Sequence, residues 1–196
     1  MASASVLSGS PYIKAGAVIS ACGTYRYHLW REWRGHYVRE NWIPLGAKDG
    51  AGHELEEPKP VVFVMLNPST ADGSKDDATI RKCVKFAMRW GYNRLEVVNL
   101  FAYRATDPQA LLKLTHDRDP VGDQNQRYFD RALNESGDPL VICAWGQHGA
   151  HLGQDQTALG WMIPYLKKWC FGLTKVGQPL HPLYQRDDAD LVEFRP

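Results

Sequence analysis

The chain has 196 residues, 44% of them hydrophobic and 23% charged, a composition that fits one folded domain and excludes a disordered or fibrous protein. A net charge of +1 excludes attachment to nucleic acid by bulk charge, so local clusters must carry any such contact. No apolar run approaches the roughly 20 residues of a membrane helix and no secretory leader is visible, so the expectation is a single cytoplasmic domain, monomeric and with no membrane contact.

Residues 1–15 are small and polar at the start and are expected to fray. Residues 17–43 read as strands in a hairpin, with Gly35 as the turn. This stretch interleaves Arg26, Arg31, Arg34 and Arg39 with Tyr27, Trp30, Trp33 and Tyr37. Arginines alternating with aromatics suit phosphate contact and base stacking, and equally suit the solvated face of a twisted hairpin. Residues 46–60, rich in Gly, Glu and Pro, read as an exposed loop. Val61–Leu66 is apolar without alternation, the pattern of a strand covered on both faces.

A helix is expected from about Asp76 to Trp90, with Ile80, Cys83, Val84 and Ala87 on one face, a capping box at Ser74 and Asp77, and Gly91 as the stop. Leu95–Leu100 reads as a second buried strand and Leu140–Trp145 as a third. Helices are expected over 123–135 and over 155–168, the latter started or kinked by Pro164. A short strand at Trp169–Leu173 leads toward His181. Alternation of strand and helix predicts a three-layer α/β/α fold with a central, mainly parallel four-stranded sheet over 61–184, plus the amino-terminal β-hairpin.

Cys22, Cys83, Cys143 and Cys170 form no Cys-x-x-Cys pair. Neither a metal site nor a cofactor is expected, and the thiols at 83 and 143 read as buried and free.

Three polar residues stand directly behind apolar runs. In a parallel sheet the ligand crevice lies at the carboxyl ends of the strands, so Asn67, Asn99 and His181 are expected to converge. Pro68 holds Asn67 extended; the amide there suits a bound water or a polar ligand edge, and Asn-Pro-Ser is also an ordinary turn. Asn99 interrupts Val97-Val98-Asn99-Leu100, where a buried amide must be bonded internally or sit at the strand mouth. Its paired donor and acceptor match the edge of a nucleobase. His181, between Pro179 and Pro182, is oriented for proton transfer or for stabilising a leaving anion, although a loop histidine also occurs without such a role.

The order of these segments resembles the uracil-DNA glycosylase superfamily, especially its mismatch-specific branch. Leu66-Asn67-Pro68-Ser69 is similar to the first motif, Asn99 through Thr106 to the second strand end, Ala144-Trp145-Gly146 to the third, and His181-Pro182-Leu183 to the last. The chain also looks like an uncharacterised bacterial and phage family with Leu-Asn-Pro-Ser-Thr and His-Pro-Leu-Tyr signatures. Met65 departs from the glycine of the first motif and Leu183 from the frequent serine of the last.

The resemblance implies a monofunctional DNA glycosylase that leaves an abasic site. Asn67 would position water and His181 would stabilise the departing base. Asn99 and Ser69 would hold that base, with Phe101, Tyr103 or, from the amino-terminal region, Trp42 stacking on it. Asp72, Asp76 and Asp77 are alternative water activators, although Asp76 and Asp77 also suit a helix start. Arg26, Arg31, Arg34 and Arg104 would contact DNA, with Leu183 and Tyr184 as the wedge. Mismatch or damage repair and excision of a hypermodified phage base, such as glucosylated hydroxymethylcytosine, stand side by side as purposes. A non-catalytic nucleic-acid module and a hydrolase of free nucleosides or nucleotides remain as alternatives.

Overall fold

A computed structural model describes residues 12–33, 35–38, 41–43, 60–114, 119–134, 139–162 and 167–196. Arg34, the loop at 46–59 and Pro164 lie outside these residues.

The described strands are β1 (Tyr12–Ile19), β2 (Arg26–Trp33), β3 (His36–Val38), β4 (Asn41–Ile43), β5 (Val61–Met65), β6 (Arg94–Asn99), β7 (Leu140–Cys143), β8 (Lys168–Cys170) and β9 (Val192–Glu193). The helices are α1 (Ala78–Arg89), α2 (Pro108–Leu112), α3 (Asn125–Asn134) and α4 (Gln154–Trp161). β3 and β4 pair with each other; the other strands form one seven-stranded sheet in the order β1-β2-β6-β5-β7-β8-β9.

This corrects the expected fold. The sheet is mixed and seven-stranded, not four-stranded and mainly parallel. The amino-terminal strands are no separate hairpin: β2 pairs antiparallel with β6, with Leu29 opposite Val97. β9 adds a second antiparallel edge, on β8. The central strands β6, β5, β7 and β8 run parallel to one another. The first turn also lies elsewhere than expected, at Ser20–Tyr25, where Ser20 N–H bonds Tyr25 O at 2.9 Å. β1 begins at Tyr12, inside the stretch expected to fray.

β5 shows why its sequence does not alternate. Val61, Phe63 and Met65 pack on the α1 side with Ile80, Cys83 and Ala87. Val62 and Val64 pack on the other side with Phe129 of α3 and Ala158 of α4. Both faces of the strand are therefore core. α1 is capped by Asp77 itself, whose Oδ1 accepts from Ile80 N–H at 2.8 Å; Ser74 instead belongs to a turn closed by Asp72. α2, not foreseen from sequence, starts with Asp107 as cap and Pro108 in its first turn, a combination that favours a helix start.

The topology fixes where a ligand can sit. β5 leads into α1 on one face, whereas its neighbour β7 leads into α4 on the other. The connections diverge and leave a crevice at the carboxyl ends of these strands.

Candidate functional site

A cavity of about 490 Å³ occupies that crevice. Asn67, Asn99 and His181 all line it, as do Ser69, Asp77, Arg26, Leu183 and Tyr184. Trp145, Gly146, His148, Thr79, Thr174 and Gln185 complete much of the wall. His148, Thr79, Thr174 and Gln185 carry no signal in the sequence that would set them apart.

Asn67 is fastened by its amide nitrogen. Nδ2 donates to Ala105 O at 2.8 Å and to Pro68 O at 3.1 Å. Carbonyl acceptors require the NH₂ on that side, which fixes the flip of the amide. Oδ1 has no hydrogen-bond partner among the described residues, and so remains an acceptor at the cavity wall.

Asn99 is only 1% exposed. Both Nδ2 and Oδ1 are buried without a partner. Its place at the end of β6, beside Met65 of β5, puts this unsatisfied amide at the cavity wall. A buried amide left unpaired costs about 1–3 kcal/mol, and a polar ligand edge would remove that cost.

His181 is held by its own loop. Leu183 N–H donates to Nδ1 at 3.3 Å. Gly146 N–H bonds Pro179 O at 2.9 Å, which ties the loop to the end of β7. Gly146 has φ +78° and would bring a Cβ to 3.6 Å from the His181 Cβ, a left-handed conformation for which glycine is suited. Burial lowers the His181 pKa to about 4, against an opposing pull from Asp77. The ring is neutral at pH 7, and because Nδ1 accepts, the proton resides on Nε2.

Trp145 braces the same wall. Its Nε1–H donates to Gln178 Oε1 at 2.6 Å, and Gln178 Nε2 donates to Asp155 at 2.8 Å. Gly149 lies against the indole so closely that a Cβ would stand 2.1 Å from Trp145 Cδ1.

The expected carboxylates separate. Asp77 lines the cavity, accepting from Ser69 Oγ through Oδ2. Asp72 closes a turn by accepting from Ser74 and Lys75 N–H, each at 2.8 Å. Asp76 pairs with Arg31 at 2.8 Å and accepts from Tyr12 OH at 2.5 Å. Asp72 and Asp76 are therefore structural and lie off the cavity wall.

The arginines and aromatics also need correction. Arg31 is fully buried and donates to Asp76, to Asp72 O and to Trp30 O, so its guanidinium belongs to the fold, not to a phosphate. Arg104 donates to Gly23 O at 3.1 Å and does not line the cavity. Arg26 does line it, buried at 2% exposure, and is no surface contact. Phe101 is wholly buried in the core beside His151. Tyr103 packs edge-on against Tyr25, with centroids 6.4 Å apart. Neither reaches the cavity as a base-stacking ring. Tyr184 on its rim is 82% exposed.

All four cysteines are free; Cys83, Cys143 and Cys170 are buried and Cys22 is exposed. Among the described residues no cluster of three or more His, Cys, Asp or Glu could hold a metal, and no helix is long and apolar enough to cross a membrane.

A mixed sheet with helices on both faces, and a cavity of mixed polar and apolar lining at the point where its connections diverge, defines an α/β protein with a candidate ligand cleft at its strand ends. The chain belongs to the DUF1643 family, proteins of unknown function, whose model matches residues 26–183. The match opens at Arg26 and closes at Leu183, both on the cavity wall. No curated protein and no solved structure gives a significant match.

Proposed function

We propose that this protein is a monofunctional DNA glycosylase, which hydrolyses the bond between a modified or mismatched pyrimidine and deoxyribose and leaves an abasic site. It acts as a cytoplasmic monomer, needs no cofactor or metal, and takes DNA as its partner with the target base extruded into the cavity. One observation carries the reading. Asn67 and Asn99 at the ends of β5 and β6 meet His181, from the loop after β8, in one cavity, each with a polar atom that no described residue engages.

In this mechanism the Asn67 Oδ1 accepts a hydrogen bond from the attacking water. As the glycosidic bond breaks, the electron pair passes to the base and an oxocarbenium-like sugar develops. The His181 Nε2–H donates to the base where that charge collects, as an oxyanion-hole donor does. Asn99 holds the base edge through its amide. An amide is a feeble base, so the barrier is lowered mainly through the leaving group; Asp77, beside Ser69, is the carboxylate at hand to take a proton from water.

Incubation with DNAs that each carry one modified or mismatched base, with released bases identified by mass spectrometry, tests the reading. A free base together with an alkali-labile site is the expected result. Bound DNA with no base released from any substrate would overturn it in favour of a binding module.

A further inference from the structure

Arg26 stands outside the run of strand-end motifs, on β2, yet its side chain lines the cavity. Its backbone N–H bonds Ala102 O at 2.9 Å, which places the start of β2 beside the segment that leaves β6. Nη1 donates to Ala71 O at 2.7 Å. Nε is buried without a partner, and Nη2 makes no hydrogen bond to a described residue. The unengaged groups are thus the two neighbouring N–H donors on one edge of the guanidinium, the fork that binds two adjacent acceptors.

Of the carboxylates, Asp77 acts most strongly on Arg26, and both residues line the cavity. Burial lowers the Arg26 pKa to about 10 while Asp77 raises it, so the group stays charged at neutral pH. With that carboxylate on the same cavity wall, the fork suits a neutral pair of acceptors better than another anion. Asn99, on the same wall, offers the complementary acceptor through its unpaired Oδ1.

A cytosine-type base presents O2 and N3 side by side as acceptors, followed by the 4-amino donor. A uracil-type base sets N3–H between two carbonyls and so turns a donor toward the fork. We propose that Arg26 is a specificity-determining residue: its Nε/Nη2 fork donates to O2 and N3 of an extruded cytosine-type base, while Asn99 Oδ1 accepts from the 4-amino group. This assignment rests on the glycosylase reading. The second lone pair of O2 remains for His181 Nε2–H. Substituents at the 5-position lie off this edge, so the selection is independent of what the base carries there.

The test compares wild-type protein with Arg26→Lys and Arg26→Met. Oligonucleotides carry cytosine, 5-hydroxymethylcytosine, uracil or 5-hydroxymethyluracil at one position, and released bases are quantified. In parallel, binding of 5-hydroxymethyldeoxycytidine and 5-hydroxymethyldeoxyuridine is titrated by ligand-observed NMR, which needs no cleavage. Wild type is expected to favour the cytosine-type member by about tenfold or more, the discrimination typical of a bidentate contact. Arg26→Lys keeps the charge and a donor for Ala71 O but has no fork. It is expected to bring the two members to near parity with a melting temperature close to wild type, whereas Arg26→Met also loses the bond to Ala71 O.

Equal handling of both members by wild type, or a preference that survives in Arg26→Lys, would overturn the assignment. Preferential binding of the cytosine-type nucleoside without release of any base would retain Arg26 as a base reader and remove the glycosylase reading. Release without preference would do the reverse.

Discussion

The backbone N–H of Leu183 donates to Nδ1 of His181, so one peptide group decides which ring nitrogen carries the proton. Nε2 then faces the cavity as a donor without the imidazole being charged. Protonation would require Nδ1 to abandon an acceptor role that the loop imposes, in a site where burial already lowers the pKa to about 4.

This geometry makes stability depend on pH in a defined window. Between the unfolded value of 6.5 and about 4, the unfolded chain binds a proton that the native chain does not, so stability falls as pH falls. The loss at pH 4 is on the order of 3 kcal/mol. The difference in urea midpoint between wild type and His181→Asn should therefore shift in favour of the variant on going from pH 7 to pH 4.5. A constant difference would mean that the native ring titrates normally.

Asn67→Ala should abolish base release with DNA binding largely kept. It should also lower stability by about 1 kcal/mol, because Ala105 O and Pro68 O lose their donor. His181→Ala should slow release by roughly 10²–10³-fold. Single-turnover assays beside denaturation curves separate the two effects. If both variants cleave like wild type, Asp77 is the remaining group on the wall to examine.

Asn99→Leu should show an unusual pairing of effects. The native amide has no partner at either end, and leucine fills a similar volume. Unliganded stability should stay level or rise by about 1 kcal/mol, while base recognition is lost. A large destabilisation would show that Asn99 serves the fold.

Leu183 and Tyr184 stand on the cavity rim, where a wedge must enter the stack that a base leaves. Replacing both by alanine should reduce release from duplex DNA far more than from single strands. An equal reduction on the two substrates would place their role in the pocket instead.

β5 and β7 were legible because they are covered on both faces and therefore read as unbroken apolar runs, and β6 because Leu95, Val97, Val98 and Leu100 outweigh the buried Glu96. Asn67 and Asn99 stood out because each interrupts or follows such a run, and His181 because Pro179 and Pro182 flank it. The pairing of β2 with β6 was not legible, since nothing local to residues 26–33 names a partner in residues 94–97. The same non-locality hid the arginines. Arg31 reads as a surface charge until Asp76 is brought to it across 45 residues. Phe101 was mistaken for a site residue because a strand end does not reveal which side of the chain faces the cleft.

The antiparallel pair β1–β2 also does something for solubility. Without it, Leu95 and Val97 of β6 would sit on an open edge of a parallel, apolar sheet, where unpaired peptide groups can recruit another chain. The pair moves that edge outward to β1. There the register slips at Tyr12/Lys14 and again at Val18/Ile19, irregularities that spoil a flat template for further pairing. Because β2 begins with Arg26, a fragment trimmed to the parallel strands would lose a cavity residue and its protection against aggregation in the same cut.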